Sequence, residues 1–206
     1  MTDIANTAGI EPRKGTVHPL YVRITHWINA LAMLVMIGSG WQIYNASPLF
    51  PFTFPASSLG GWLAGGIAWH FAAMWLLIAN GLVYVTLGLA TGRFRAKLLP
   101  IRPREVFGDV GAALTGRLSH DDLARYNAVQ KLLYLGILLT GVLIVASGFA
   151  IWKPVQLRPL TALFGGYDAA RYVHFIAMSA IVLFLVLHVV MALLVPKSLR
   201  AMITGR

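Results

Sequence analysis

Four histidines stand where ionisable side chains are rare. His26, His70, His174 and His188 lie inside long apolar stretches, whereas His18 and His120 lie outside them and read as solvated or interfacial. An imidazole in an apolar helix is costly and is a functional candidate, although one alone could simply hydrogen-bond a neighbouring helix. His174 and His188 are 14 residues apart. At about 100° per residue they fall about 40° short of four full turns, so both rings leave one helix face, about 21 Å apart along the axis. The spacing is also two heptads, which improves the alignment in a left-handed bundle. The chain has no cysteine. That excludes thiolate-held iron–sulfur clusters, disulfides, thiolate ligation of haem and covalent haem attachment.

These side chains need elements to carry them, and composition says of which kind. The 206 residues are 58% hydrophobic and only 12% charged, against about a quarter charged in a soluble domain. Such a chain cannot cover a globule with polar surface, so it belongs in a lipid bilayer. Residues 24–92 contain no Asp, Glu, Lys or Arg, too long a run for one span of about 20 residues. Residues 45–61, NASPLFPFTFPASSLGG, break it, because Pro48, Pro51 and Pro55 forbid regular helix. Two more uncharged runs lie between Lys131 and Lys153 and between Arg171 and Lys197. The expected fold is an all-α integral membrane bundle of four transmembrane helices at about 22–44, 62–91, 132–152 and 172–195. It occupies residues 18–197, between tails at 1–17 and 198–206. The first span is too long for the apolar region of a signal peptide. No internal repeat is evident.

The net charge of +10 does not point to nucleic acid, because the basic residues flank the apolar runs as membrane orientation requires. Fourteen of the 17 fall in the N-terminal flank, the 92–131 connection and the C-terminal tail; only Lys153, Arg158 and Arg171 fall on the other side. Both termini of this multi-pass protein are therefore expected in the cytoplasm. Trp41, Trp62, Trp69 and Trp152 at the outer span ends and Trp27 at an inner end fit an aromatic belt.

Topology then pairs the histidines. The first span enters from the cytoplasm, which sets His26 level with His188; the second returns from outside, which sets His70 level with His174. Each facing pair can supply both axial ligands of an iron porphyrin, whereas zinc would need more than two ligands at each level. With both axial positions filled, no site is left for oxygen or substrate, and the expected work is electron transfer across the bilayer. Two haem b groups are thus expected, an inner one on His26 and His188 and an outer one on His70 and His174. Met178, Ile181 and Leu185 share the ligand face, a stripe that could equally be ordinary core. Gly38, Gly40, Gly136, Gly141 and Gly148 would either admit a macrocycle or serve helix packing. Arg23 and Arg171, about one turn before His26 and His174, could pair with propionates or be plain flank charges.

The pattern RITHW at 23–27, WH at 69–70, HFIAMSAIVLFLVLH at 174–188 and RYNAVQK at 125–131 resembles the dihaem cytochrome b subunits of bacterial nickel–iron hydrogenases, formate dehydrogenase-N and thiosulfate reductase, a bacterial cytochrome b561-type family. The resemblance runs from about His18 to Lys197. It implies haem ligands at the same four histidines, a bacterial cytoplasmic (inner) membrane location, and an electron-transfer subunit that anchors a periplasmic metalloenzyme. It also implies exchange with ubiquinone or menaquinone near the inner haem. Tyr126, Asn127, Gln130 and Lys131, at the cytoplasmic start of the third span, would by themselves read as an interfacial cap; with the resemblance they become the expected quinone site. The proline-rich loop 46–61 and the connection 153–170 depart from the family pattern and would face the partner, with Phe50, Phe52, Phe54, Leu160, Leu163 and Phe164 as apolar contacts. The competing class is a histidine-relay transporter or proton channel. The absence of any Asp or Glu in the expected spans argues against it.

Overall fold

The computed structural model describes residues 17–55, 59–98, 102–114 and 128–205. Its elements are eight helices: α1 Leu20–Ala46, α2 Leu63–Ala90, α3 Arg93–Leu98, α4 Pro103–Leu114, α5 Ala128–Trp152, α6 Arg158–Leu163, α7 Tyr167–Leu194 and α8 Pro196–Thr204. Four of them, α1, α2, α5 and α7, are long and apolar enough to cross a membrane. Only 11–28% of each apolar window is buried inside the molecule. Leu31, Leu34, Leu82, Val142 and Leu183 are each at least 60% exposed. In water so much bare apolar surface would aggregate; in hydrocarbon it is the lipid-facing side, and helices alone satisfy their backbone there.

The helices extend past the apolar runs that reveal them. α5 starts four residues before the expected third span and α7 five before the fourth. In α7 the extra turn is polar: Asp168 sits in the first turn, where the helix dipole favours a carboxylate, and lies 4.0 Å from Arg171. Its entry is set by Gly165 and Gly166, both at positive φ, a backbone that side chains with a Cβ rarely adopt. Its exit is Pro196, which starts α8.

The molecule is built from two helical hairpins, α1 with α2 and α5 with α7. In the first, Gly66 lets α2 approach α1 closely; a Cβ there would lie 3.0 Å from Gln42. Asn80, buried on α2, donates to the Thr25 carbonyl and to Asn29 Oδ1 on α1, both at 2.8 Å. The second hairpin is joined through α6, whose buried Thr161 donates to the Ala150 carbonyl at 3.2 Å. α5 is capped from α4: its first amide, on Ala128, donates to Asp109 Oδ2 at 2.7 Å. A carboxylate at a helix N-terminus is stabilising both as a cap and as a charge.

The proline-rich segment after α1 is held by the last turns of that helix. The Asn45 amide pairs with the Phe54 backbone in both directions, at 2.8 and 3.1 Å, and the Phe50 amide donates to the Tyr44 hydroxyl at 3.2 Å. These side chains supply the hydrogen bonds that a segment with three prolines cannot make for itself. Phe54 then stacks on Trp41, with centroids 4.6 Å apart and planes at 4°, and the Trp41 Nε1 is buried. Trp41 thus belongs to the loop's packing and not to a lipid-facing belt. Trp27, Trp62 and Trp69 are exposed, as a belt requires.

Candidate functional site

The bundle brings its four span histidines together two by two. His26, in the second turn of α1, faces His188 near the end of α7, with ring centroids 5.9 Å apart. His70 on α2 faces His174 on α7 at 6.5 Å. A metal ion sits about 2 Å from an imidazole nitrogen; adding about 1 Å from each nitrogen to its ring centre, two rings sharing one ion stand about 6 Å apart. Both pairs have that separation. Among the described residues there is no group of three or more His, Cys, Asp or Glu suited to a metal ion. Each pair offers two facing imidazole donors and could hold an ion whose remaining ligands come from a bound group.

Two serines hold the outer pair. Ser39 on α1 lies 3.0 Å from His70 Nδ1, and Ser147 on α5 lies 3.1 Å from His174 Nδ1. Each hydroxyl has one proton, and each gives it to its own helix: Ser39 donates to the Val35 carbonyl at 2.6 Å and Ser147 to the Leu143 carbonyl at 2.8 Å. The serine oxygens are then acceptors, so each Nδ1 is a donor. The Ile144 carbonyl, 3.1 Å from His174 Nδ1, can only accept and requires the same assignment. Both outer rings consequently carry their proton on Nδ1 and keep the Nε2 lone pair for a metal.

The next residue along each helix is glycine, and each is pressed against a ring. A Cβ on Gly40 would lie 3.3 Å from His70 Cε1, and one on Gly148 would lie 3.3 Å from His174 Cε1. The two sites are local copies of each other: Ser39-Gly40 against His70-Phe71, and Ser147-Gly148 against His174-Phe175. The correspondence is confined to these two dipeptides. It was also the available signal for the two serines, which sequence reasoning missed. Of the other candidate glycines, Gly38 approaches Leu59, and a Cβ on Gly136 or Gly141 would meet nothing within 4 Å.

Between the outer rings lies a cavity of about 380 Å³ walled by all four long helices, with Gly40, His70, Gly148, His174, Met178 and Ile181 on its surface. That is within the range of about 300–1,000 Å³ usual for small-molecule and cofactor sites. Leu185 falls outside it. Arg171 stands at its edge and donates to the Ser47 carbonyl at 2.5 Å and to Ser47 Oγ at 3.1 Å. Its charge is thus held at the outer rim, where an anionic group of a bound cofactor could reach it.

The inner pair is held differently. Among the described residues no hydrogen bond fixes either ring. His188 stacks on Phe184, centroids 5.6 Å apart and planes at 10°, and His26 meets Trp27 edge-on. Arg23, expected beside an inner propionate, points at the C-terminal end of α8, where it donates to the carbonyls of Met202, at 3.4 Å, and Ile203. A cation there complements the helix dipole. His18 approaches Arg93, at 3.5 Å. Gln130 and Lys131 lie in the first turn of α5, half-buried; Tyr126, Asn127 and His120 lie outside the described residues. In the outer loops Phe50 and Phe52 stay exposed while Phe54 does not; Val155 and Leu163, both about four-fifths exposed, are barer still.

The family model described as prokaryotic cytochrome b561 matches residues 17–205. The chain is 50% identical over 190 residues to a putative protein-methionine-sulfoxide reductase subunit YedZ1 of Azospira oryzae, which covers 92% of this chain and 96% of that one. It is 27% identical over 215 residues to a probable Ni/Fe-hydrogenase B-type cytochrome subunit of Cupriavidus necator, covering 93% of this chain and 84% of that one.

Proposed function

The chain belongs to the prokaryotic cytochrome b561 family of membrane electron-transfer proteins, and on that premise we propose that it is a dihaem subunit carrying electrons from the quinone pool to a reductase docked on its outer face, which it also anchors. The observation that carries this reading is the pairing of the four span histidines, at 5.9 and 6.5 Å, at two depths of one bundle. His70 and His174 hold the outer haem b, His26 and His188 the inner one. Held by these histidine pairs, haem would supply one-electron exchange. The protein's part is to orient the rings, keep water from the cavity with apolar walls such as Met178 and Ile181, and offer Arg171 to a propionate at the outer rim. Arg23 would reach an inner propionate only by releasing α8.

The direction of flow is inferred from the relatives. A protein-methionine-sulfoxide reductase consumes electrons, and the relative so named is the more similar of the two and matches nearly end to end. We assign this chain a partner of the same kind, a periplasmic reductase, docked on the loops around Phe50, Phe52, Val155 and Leu163. Quinol oxidation is assigned to the cytoplasmic start of α5, where Gln130 and Lys131 stand and which Tyr126 and Asn127 immediately precede in sequence. The membrane is the bacterial inner membrane, with both termini cytoplasmic.

The alternative of a histidine relay for protons is disfavoured by Asp168, the one carboxylate in the four long helices, whose side chain is 84% exposed at the start of α7. The test is haem content. The purified chain should hold two non-covalent haem b groups. His26→Ala and His188→Ala should remove mainly one spectral component, and His70→Ala and His174→Ala the other. Colourless protein would end the cytochrome reading, and loss of the same component from the 26 and 70 variants would end the pairing. Co-purification from native membranes should recover a periplasmic reductase.

A further inference from the structure

The outer histidines are buried under polar contacts that the inner ones lack, and this difference has electronic consequences. We propose that Ser39 and Ser147 are matched positioning residues that fix the outer ligands and set the redox potential of the iron between them independently of the inner centre. The proposal rests on the dihaem reading for the existence of that iron.

Because Val35 and Leu143 take the serine protons, both outer imidazoles donate from Nδ1. A ligating imidazole that donates its other N–H becomes more basic and a stronger donor to the metal, which favours the ferric state and lowers the potential. Each outer ring has a buried serine oxygen as acceptor, and His174 has the Ile144 carbonyl as well. Both serines are fully buried, at 0% exposure. No water competes for these bonds, and the low surrounding dielectric strengthens them. The two clamps come from different helices, α1 and α5, and act on opposite ligands, so their effects should add. His26 and His188 pack on Trp27 and Phe184 instead, so the same device is absent from the inner pair among the described residues.

The clamps also restrict ring rotation. A serine oxygen holds each Nδ1, and the adjoining Gly40 and Gly148 leave little room beside Cε1. A ring so held presents Nε2 in one direction, which a ligand shared with a rigid macrocycle requires.

The experiment is a potentiometric titration of the full-length protein, followed by visible and electron paramagnetic resonance spectra. Ser39→Ala, Ser147→Ala and the double variant are compared with Ser39→Cys and Ser147→Cys. Cysteine nearly keeps the volume but is a weak acceptor. Ser179→Ala is the control, because Ser179 bonds only its own helix, at Phe175. The component lost in His70→Ala should move to higher potential in each serine variant. A tenfold loss of ferric over ferrous preference would equal about 59 mV for one electron. The double variant should move further than either single one, and the other component should stay in place. Selective loss of the outer haem with the inner retained would also support the clamp, since removing such partners typically costs about 10–100-fold in metal affinity. If the alanine chains fail to accumulate, the cysteine chains decide. Unchanged potential and spectra of the outer component in the serine variants would overturn the proposal. A wild-type chain holding a single haem would instead overturn the dihaem reading, and the clamp would then be judged on whether His70→Ala abolishes that one haem and the serine variants shift it.

Discussion

Asn80 on α2 and Asn29 on α1 share a hydrogen bond 2.8 Å long, and the same Asn80 amide donates to the Thr25 carbonyl at an equal distance. The bond lies about one turn from His26, on the helix pair that presents both His26 and His70 to α7. Within hydrocarbon an interhelical bond of this kind is worth about 1–2 kcal/mol in model peptides and about 0.6 kcal/mol on average in a folded membrane protein. Asn80→Ala also removes this partner of Asn29 Oδ1. It should lower the thermal stability of the detergent-solubilised protein by about 1–2 kcal/mol, followed through haem absorbance, with the inner component released first. Unchanged melting would show that the contact carries no stability.

Gly148→Ala sets two effects against each other. Alanine in place of a helical glycine stabilises by about 1 kcal/mol, but the new Cβ would press on His174 at 3.3 Å, a ring that Ser147 and Ile144 of the same helix already hold at Nδ1. The substitution should therefore leave folding intact and impair the outer haem alone, seen as a shifted or weakened component. Gly136→Ala, where a Cβ meets nothing within 4 Å, should have neither effect on the haem. Equal spectra from both variants would dismiss the glycine cradle.

Reporter fusions after Arg206 and within 156–166 should report opposite sides of the membrane, the first cytoplasmic. This follows from the distribution of basic residues, fourteen on one side and three on the other. Signals from the same compartment would refute the orientation and, with it, the assignment of inner and outer pairs.

Asn127→Ala and Gln130→Ala should slow haem reduction by a quinol analogue while both haem spectra stay intact. A quinone needs hydrogen-bond partners at its carbonyls and a proton route to water, and the proposed site at the start of α5 would have to supply both. Asp109, which caps Ala128 from α4, holds this end of the helix in place. Normal rates in both variants would falsify the assignment and direct attention to His18 and Arg93, which lie 3.5 Å apart at the ends of α1 and α3.

Much of this protein was determined by the sequence itself, because a bilayer imposes simple rules. Apolar length specified four spans, prolines broke the first long run, and the 14-residue spacing of His174 and His188 placed both on one helix face. Antiparallel topology was then enough to pair them with His70 and His26. The side-chain shell around the pairs was decided only by tertiary structure, because it depends on how neighbouring helices are rotated and how closely they approach. Ser39 and Ser147 look in sequence like ordinary small residues, and only the packing of α1 on α2 and of α5 on α7 brings their oxygens to the histidine Nδ1 atoms. Arg23 and Arg171 look alike in sequence, each about a turn before a histidine. The fold sends one to the carbonyls ending α8 and leaves the other at the cavity rim, because a long flexible cation goes to whichever partner the chain brings nearest.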